Sequence, residues 1–240
     1  MTTLIKIIIA TLLSLSLFSC NFDINMGVKG NGDVVTEDRT TNEPFSTIKA
    51  AEGLDVYLTQ SDNESILVEA DENLQSLIIT EIENGVLKIH TKQNIGSATS
   101  KKIIVSFKDI SSIISTSGSD VYSTNTISTE SLELQSTSGS DMKLSVNTSV
   151  LNCKSTSGSD MRISGTTSKL NAEATSGSDI KAADLQAESS RVKATSGADI
   201  TINTSKELIA NASSGGDIMY YGNPVKVNKT DNPSGSIEKK

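Results

Sequence analysis

The stretch STSGSD at Ser115–Asp120 decides the fold, because it occurs six times in exact or nearly unchanged form. The other copies are Ser136–Asp141, Ser155–Asp160, Ala174–Asp179, Ala194–Asp199 and Ala212–Asp217. The glycines of successive copies are 21, 19, 19, 20 and 18 residues apart. A fixed period near 20 is typical of a solenoid, in which each repeat forms one coil that stacks on the previous coil.

Apolar and small residues alternate with polar residues inside each repeat. In one repeat the residues of one parity are Leu170, Ala172, Ala174, Ser176, Ser178, Ile180 and Ala182. A period of two predicts strands with one buried face, whereas a helix would need spacings of three and four. The sequence therefore predicts an all-β fold, a right-handed parallel β-helix with coils of about 20 residues. The glycines would supply a positive φ or a close backbone approach at each bend.

The chain divides into a regular and an irregular part. Residues 111–237 carry the regular repeats, and 238–240 form a polar tail. Residues 28–110 show strand patterns with longer connections, and we interpret them as irregular N-terminal coils of the same body. Within them AEGLDVYL, Ala51–Leu58, repeats the G-x-D spacing of the regular copies. A short helix is predicted after Asp71.

The N-terminus has the pattern of an export signal. Ile7–Phe18 is an apolar run too short for an ordinary membrane span, and it is followed by Cys20. LFSC, Leu17–Cys20, resembles a lipobox, which implies cleavage after residues 1–19 and acylation of Cys20. Residues 20–27 would then be the lipid anchor and a short linker, and the membrane would be a partner through the lipid. The alternative is an ordinary secretory signal that ends near a cysteine.

Several segments, taken in order, resemble one known family. They are GVKGNGDVVTEDR (27–39), FSTIKAAEGLDVYLTQ (45–60), ILVEADENL (66–74), GVLKI (85–89), the serial SGSD copies, YYGNP (220–224) and SGSI (234–237). Over Gly27–Ile237 the chain is similar to the putative auto-transporter adhesin, head GIN domain family. The resemblance implies a β-helical protein exported by Gram-negative bacteria. It implies no established catalytic residue.

The charge of the chain limits its partners. The 240 residues carry a formal net charge of -8, and no basic patch is evident in the sequence. Nucleic acid is therefore not expected as a partner, since its phosphates need cations. A glycan or a protein remains as the expected ligand. A homo-oligomer remains open, because uncapped solenoid ends can pair.

The aspartate that ends each copy is the candidate site. These residues are Asp120, Asp141, Asp160, Asp179, Asp199 and Asp217. Stacked coils would place them in one outer column, a face for a ligand or a cation. Calcium needs six to eight oxygen ligands, and one carboxylate per coil is too few, so we predict neither a metal nor a cofactor. Lys143, Arg162 and Lys181 lie two residues further on and would pair with the aspartates, whereas Asp199 and Asp217 lack such a cation.

Catalysis is not expected from this sequence. Some β-helices are polysaccharide lyases or hydrolases with clustered acids, but they use long loops and aromatic platforms, and here aromatic residues are scarce. His90 is the only histidine and is predicted on a strand surface. Cys153 and Tyr220 are predicted in the core, and Tyr221 is predicted to cap the last coil; the alternative is that the Tyr220–Tyr221 pair stacks on a sugar or on a ring of a partner.

The sequence thus predicts an exported, lipid-anchored β-solenoid at the outer membrane, facing the periplasm or the cell surface. Its predicted role is that of a non-catalytic, adhesin-like protein that binds a glycan or a protein. The first alternative is a structural envelope lipoprotein that faces the periplasm. The second is a polysaccharide lyase or hydrolase on a β-helix.

Overall fold

The computed structural model describes residues 27–40, 43–231 and 234–240. The predicted signal peptide and Cys20 lie outside these ranges. The described residues form one sheet of sixteen strands. The strands are β1 (Val34–Arg39), β2 (Thr47–Ala50), β3 (Asp55–Gln60), β4 (Ser65–Asp71), β5 (Ile78–Glu83), β6 (Val86–Thr91), β7 (Lys101–Phe107), β8 (Ser112–Ser115), β9 (Asp120–Thr137), β10 (Asp141–Thr156), β11 (Asp160–Thr175), β12 (Asp179–Thr195), β13 (Asp199–Ser213), β14 (Asp217–Tyr221), β15 (Lys226–Asp231) and β16 (Ser236–Lys239). Within the described ranges, no helix has the length and apolar character needed to cross a membrane.

The predicted β-solenoid is confirmed, with about seven turns and coils of ~19 residues. Each of β9 to β13 runs from one Ser-Gly turn to the next and pairs in parallel with the strands of the coils before and after it. Buried and exposed residues alternate along these strands, as in β10, where Met142, Leu144 and Val146 are buried. The apolar face of every coil therefore contributes to one continuous core.

The repeated turn has two consecutive residues in the left-handed region. Ser157 and Gly158 have φ angles of 59° and 68°, and the other copies repeat this pair. Positive φ at both central positions is the feature of a type I′ turn, and it reverses the chain sharply. The predicted parity fails there, because Ser176 is exposed although Ala174 and Ser178 are both buried.

Buried serines line the inside of this corner in the early coils. The Ser155 and Ser159 hydroxyl oxygens lie 2.8 Å apart, and the Ser159 hydroxyl donates to the carbonyl oxygen of Ser136 in the preceding coil. Small side chains are needed because the two arms of the turn approach closely. Later coils use Ala194 and Ala198 at the same positions, so the hydroxyl ladder ends while the corner keeps its shape.

The order of the coils along the stack differs from their order along the chain at the N-terminal end. The coil formed by β2 and β3 pairs with β8 and β9 on one side and with β6 and β7 on the other, all in parallel. The segment that follows β3 in sequence therefore lies outside it in space. Antiparallel strands β4, β1 and β5 then extend this end of the sheet.

Asp71 joins three segments of this irregular end. The short helix predicted after it is a single 3₁₀ turn, Glu72–Leu74, and the Asp71 side chain makes no capping hydrogen bond to it. Its carboxylate instead accepts hydrogen bonds from the backbone amides of Gly32 and Ser100, each at 2.9 Å, and from Thr99. These donors, led by that of Ser100, lower the pKa of Asp71.

The last coil is closed by a strand that extends into the predicted polar tail, since β16 ends at Lys239. Strand β16 pairs with β14, and Ile237 is only 8% exposed. Tyr220 is buried in the core, with the Lys229 ammonium 4.7 Å from its ring centroid. Tyr221 is 41% exposed beside this coil.

Candidate functional site

The six predicted aspartates form one column, and the structure adds a seventh member. Asp120 and Asp141 are paired in register, and the pairing continues coil by coil to Asp217. Asp55 lies directly opposite Asp120 on the other side, because β3 pairs with β9. The G-x-D spacing at Gly53 was the sequence signal for this seventh residue. The column is thus a continuous edge of carboxylates beside the repeated turn.

Repulsion within the column changes the acidity of two members. The pKa of Asp120 is raised by partial burial and then by the charges of Asp141 and Asp55. The pKa of Asp199 is raised in the same way, by burial and then by Asp179 and Asp217. Both shifts mean that ionisation of these two carboxylates weakens the fold.

One cation relieves this repulsion. Lys181 lies 2.8 Å from Asp179 and 3.5 Å from Asp160, and these contacts, led by the hydrogen bond to Asp179, raise its pKa. Lys143 and Arg162 were predicted to pair in the same way. Among the described residues, neither of them lies within ion-pair distance of a carboxylate. Lys143 and Arg162 are therefore available to another partner.

The arrangement does not resemble a calcium site. In the part of the chain that the structure describes, no group of three or more His, Cys, Asp or Glu side chains is placed to hold a metal ion. Successive coils lie about 4.8 Å apart, and each contributes one aspartate to the column. A hard cation would have to draw most of its oxygen ligands from water.

A second outward column runs beside the aspartates and carries aromatic and basic side chains. Tyr57, Tyr122, Lys143, Arg162 and Lys181 occupy the same register position in five successive coils. The rings of Tyr57 and Tyr122 stack with centroids 5.2 Å apart and an interplanar angle of 27°. Partial burial, followed by the charge of Asp120, raises the pKa of Tyr122.

This second column lines a groove of about 900 Å³. We call it the basic–aromatic groove and define it by Tyr57, Tyr122, Lys143, Arg162 and Lys181. Hydroxyl groups border it, namely Ser123, Thr124, Ser145 and Ser164. The strand register shifts next to the groove in three coil pairs, and such bulges bend strands and create concave surface.

The tyrosine stack of the groove was not predicted from the sequence. Aromatic residues are scarce, with four tyrosines in the chain. Two of these four tyrosines nevertheless stack at one end of the groove. The residues are 65 positions apart, and only the alignment of Asp55 with Asp120 could have brought them together in a sequence argument.

The remaining candidates lie elsewhere. His90 is on β6, and its Nε2 is 3.2 Å from the Glu81 carboxylate on the neighbouring strand. Cys153 is buried as predicted, and burial raises the pKa of its thiol to about 12. The buried thiol of Cys153 does not have the surroundings of an activated nucleophile.

The chain is similar to known proteins both in sequence and in fold. The sequence profile described as putative auto-transporter adhesin, head GIN domain, matches residues 44–224. No curated protein is significantly similar in sequence. A crystal structure of a putative adhesin from Bacteroides fragilis is 20% identical, with a TM-score of 0.82 over 89% of this chain and 100% of that chain.

Two further crystal structures have the same fold. A putative adhesin from Parabacteroides merdae is 20% identical, with a TM-score of 0.72 over 89% of this chain and 98% of that chain. A putative lipid binding protein from Parabacteroides distasonis is 22% identical, with a TM-score of 0.73 over 89% of this chain and 99% of that chain. At this level of identity the similarity establishes the solenoid fold.

Proposed function

The chain belongs to the putative auto-transporter adhesin, head GIN domain family, and on this premise we propose that it is a non-catalytic binding protein of the cell envelope. It is adhesin-like in family and in the proteins that share its fold. The proposed ligand is a glycan or a protein outside the membrane. The proposed anchor is a lipid on Cys20, which holds the solenoid at the outer membrane.

One observation carries this proposal, namely the long row of outward polar side chains on a rigid sheet. The aspartate column spans seven coils, from Asp55 to Asp217, and the basic–aromatic groove lies beside it. Single exposed contacts of this kind are weak. Repeated contacts on a rigid frame can nevertheless bind an extended ligand, because the frame loses little conformational entropy on binding.

The proposed anchor would be firm. Each buried CH₂ of an acyl chain contributes about 0.8 kcal/mol of membrane affinity, and a single chain gives only reversible binding. A bacterial lipoprotein cysteine carries several chains, so the protein would remain attached during adhesion. The anchor therefore fits a protein that must transmit force between the cell and its ligand.

The two alternatives make different predictions. A structural lipoprotein that faces the periplasm would need no ligand outside the cell. A polysaccharide hydrolase would use two carboxylates about 5 Å apart, which the aspartate column supplies at every coil, whereas a lyase would need a base beside its substrate. The regularity of the column favours a scaffold, because every coil contributes one aspartate at the same position of the repeat.

Protease treatment of intact cells that carry a C-terminally tagged full chain tests the proposal. We expect the tag to disappear from intact cells while a periplasmic marker survives, and adhesion of the cells to glycan-coated or protein-coated surfaces to fall when the gene is deleted. Loss of the tag only after lysis would overturn the adhesin proposal and favour the periplasmic alternative. Release of reducing ends or unsaturated products from polysaccharides would favour the enzyme.

A further inference from the structure

We infer that the basic–aromatic groove binds an acidic glycan in which a carboxylate sugar lies next to a neutral sugar. The inference rests on the proposed binding function and assigns to it a site and a ligand class. It follows from three features of the groove, which are a stacked tyrosine pair, two cations without a carboxylate partner, and a row of hydroxyl groups in a lining whose one carboxylate is that of Asp184.

The tyrosine pair offers a platform for a sugar ring. Tyr57 and Tyr122 are half-buried, and their stacking at 5.2 Å fixes both rings without further ordering on binding. The Lys102 ammonium lies 5.6 Å from the Tyr57 ring centroid, and this contact further restricts the motion of the Tyr57 ring. The two rings cover one face of each other and Lys102 lies over Tyr57, so the outer face of Tyr122 is the one that can attract the C–H groups of a neutral pyranose.

The neighbouring coils supply the charge that selects an acid. Lys143 follows Tyr122 in the column and Arg162 follows Lys143, so both cations lie within the next two coils. Both side chains are exposed, and within the described ranges neither forms an ion pair. A guanidinium and an ammonium side by side can bind one carboxylate with charge-assisted hydrogen bonds. Lys181, the third cation, is already paired with Asp179.

The spacing of coils matches a chain of alternating sugars. Tyr122 and Lys143 lie in neighbouring coils, which are about 4.8 Å apart at the strand spacing of a sheet, and Arg162 lies one coil further on. One coil is therefore close to the advance of one pyranose ring along a glycan. A neutral ring on Tyr122 places the carboxylate of the next, acidic sugar near Lys143 and Arg162.

The sides of the groove exclude other anions. The aspartate column runs along one side and repels a ligand that carries a negative charge on every unit, such as a nucleic acid. Carboxylates and the hydroxyls of Ser123, Ser145 and Ser164 can bond to sugar hydroxyl groups. The combination selects a ligand with many hydroxyl groups and widely spaced carboxylates.

The test measures binding of the full chain, purified in mild detergent, to three probes. They are a hyaluronan oligosaccharide, which alternates a uronate with a neutral sugar, a neutral chitin oligosaccharide of equal length, and an oligothymidylate. We expect the hyaluronan oligosaccharide to bind more tightly than either other probe. The double variant K143Q/R162Q and the double variant Y57A/Y122A should each weaken this binding about tenfold or more.

The control variant is K154Q, which removes an exposed cation from the other arm of the Lys143 strand. It should leave binding unchanged. Equal binding of the chitin oligosaccharide or of the oligothymidylate would overturn the inference, as would unchanged binding by K143Q/R162Q with a wild-type circular dichroism spectrum. If hyaluronan fails to bind while beads coated with the chain still adhere to cells, this inference falls and the proposed function stands. If the beads fail as well, both fall.

Discussion

The hydroxyl oxygen of Ser159 lies 2.9 Å from the carbonyl oxygen of Ser136, which belongs to the preceding coil. The same hydroxyl accepts a hydrogen bond from the amide of Thr156 at 3.1 Å and contacts the Ser155 hydroxyl at 2.8 Å. All of these groups are inside the corner. The serine of the repeat thus ties its own turn together and joins it to the coil before it.

Replacing Ser159 by alanine should lower the free energy of unfolding by about 1–2 kcal/mol, because buried backbone groups lose their partner. Chemical denaturation followed by circular dichroism measures this change. S168A, an exposed serine of the same coil, is the control and should change stability by less than about 0.5 kcal/mol. The double variant S155A/S159A should cost less than the sum of its single variants, because it also removes the orphaned hydroxyl. A cost for S159A no larger than that of S168A would contradict the role of the ladder.

The left-handed pair of the turn makes a second prediction. A Cβ on Gly158 would meet no atom within 4 Å, so only the φ of 68° opposes a side chain there. G158A should destabilise by about 1 kcal/mol for this reason. S157N should stabilise by about 0.5 kcal/mol, since Asn-Gly is the preferred pair of a type I′ turn. Thermal unfolding of both variants checks the two signs, and a stabilising G158A would contradict the assigned conformation.

The fold was largely predictable because its signal is repeated. Each Ser-Gly copy reports the same bend, so the period could be read without knowing any contact. The parity through the turn was not predictable in detail, since two left-handed residues displace Ser176 to the surface. The hydroxyl ladder inside the corner was also outside the reach of sequence patterns, because its bonds join serines of neighbouring coils.

The candidate site was only half predictable. The aspartate column follows directly from the repeat, but the tyrosine stack depends on the spatial order of the coils. Five strands, β4 to β8, lie between β3 and β9 in the chain, yet β3 is next to β9 in the sheet. Tyr57 and Tyr122 meet only because of this insertion. Nor could the sequence distinguish the paired Lys181 from Lys143 and Arg162, which have equal positions in the repeat.

The aspartate column should respond to acid in a defined direction. The folded pKa of Asp199 is raised above its unfolded value, so the ionised form weakens the fold. This penalty is absent below the unfolded pKa of about 3.9 and is fully present above the folded pKa. D199N should therefore stabilise at pH 7 by about 0.5 kcal/mol, after allowance for solvent screening. The gain should vanish near pH 3. Thermal unfolding at both pH values tests this, with D184N as the control outside the column.

Asp71 should behave in the opposite way. Its folded pKa is lowered by backbone amide donors, so its contribution is present above the unfolded pKa of about 3.9 and is lost as the pH falls through the folded pKa. D71N should lower the unfolding midpoint by several degrees at pH 7, because an amide nitrogen would face the amides of Gly32 or Ser100. The difference from the wild type should shrink as the pH is lowered. An unchanged midpoint at pH 7 would contradict the role of this carboxylate.

The thiol of Cys153 gives a direct measure of how closed the core is. Burial raises its pKa to about 12, so at neutral pH it remains a protonated thiol, which is not a nucleophile. In a C20A variant of the full chain, Cys153 is the only cysteine. Iodoacetamide should leave it unmodified in the folded protein and label it fully in denaturant, as mass spectrometry can show. Labelling at the same rate in both states would mean that the coils around Cys153 open readily, and the rigid frame assumed for ligand binding would then be wrong.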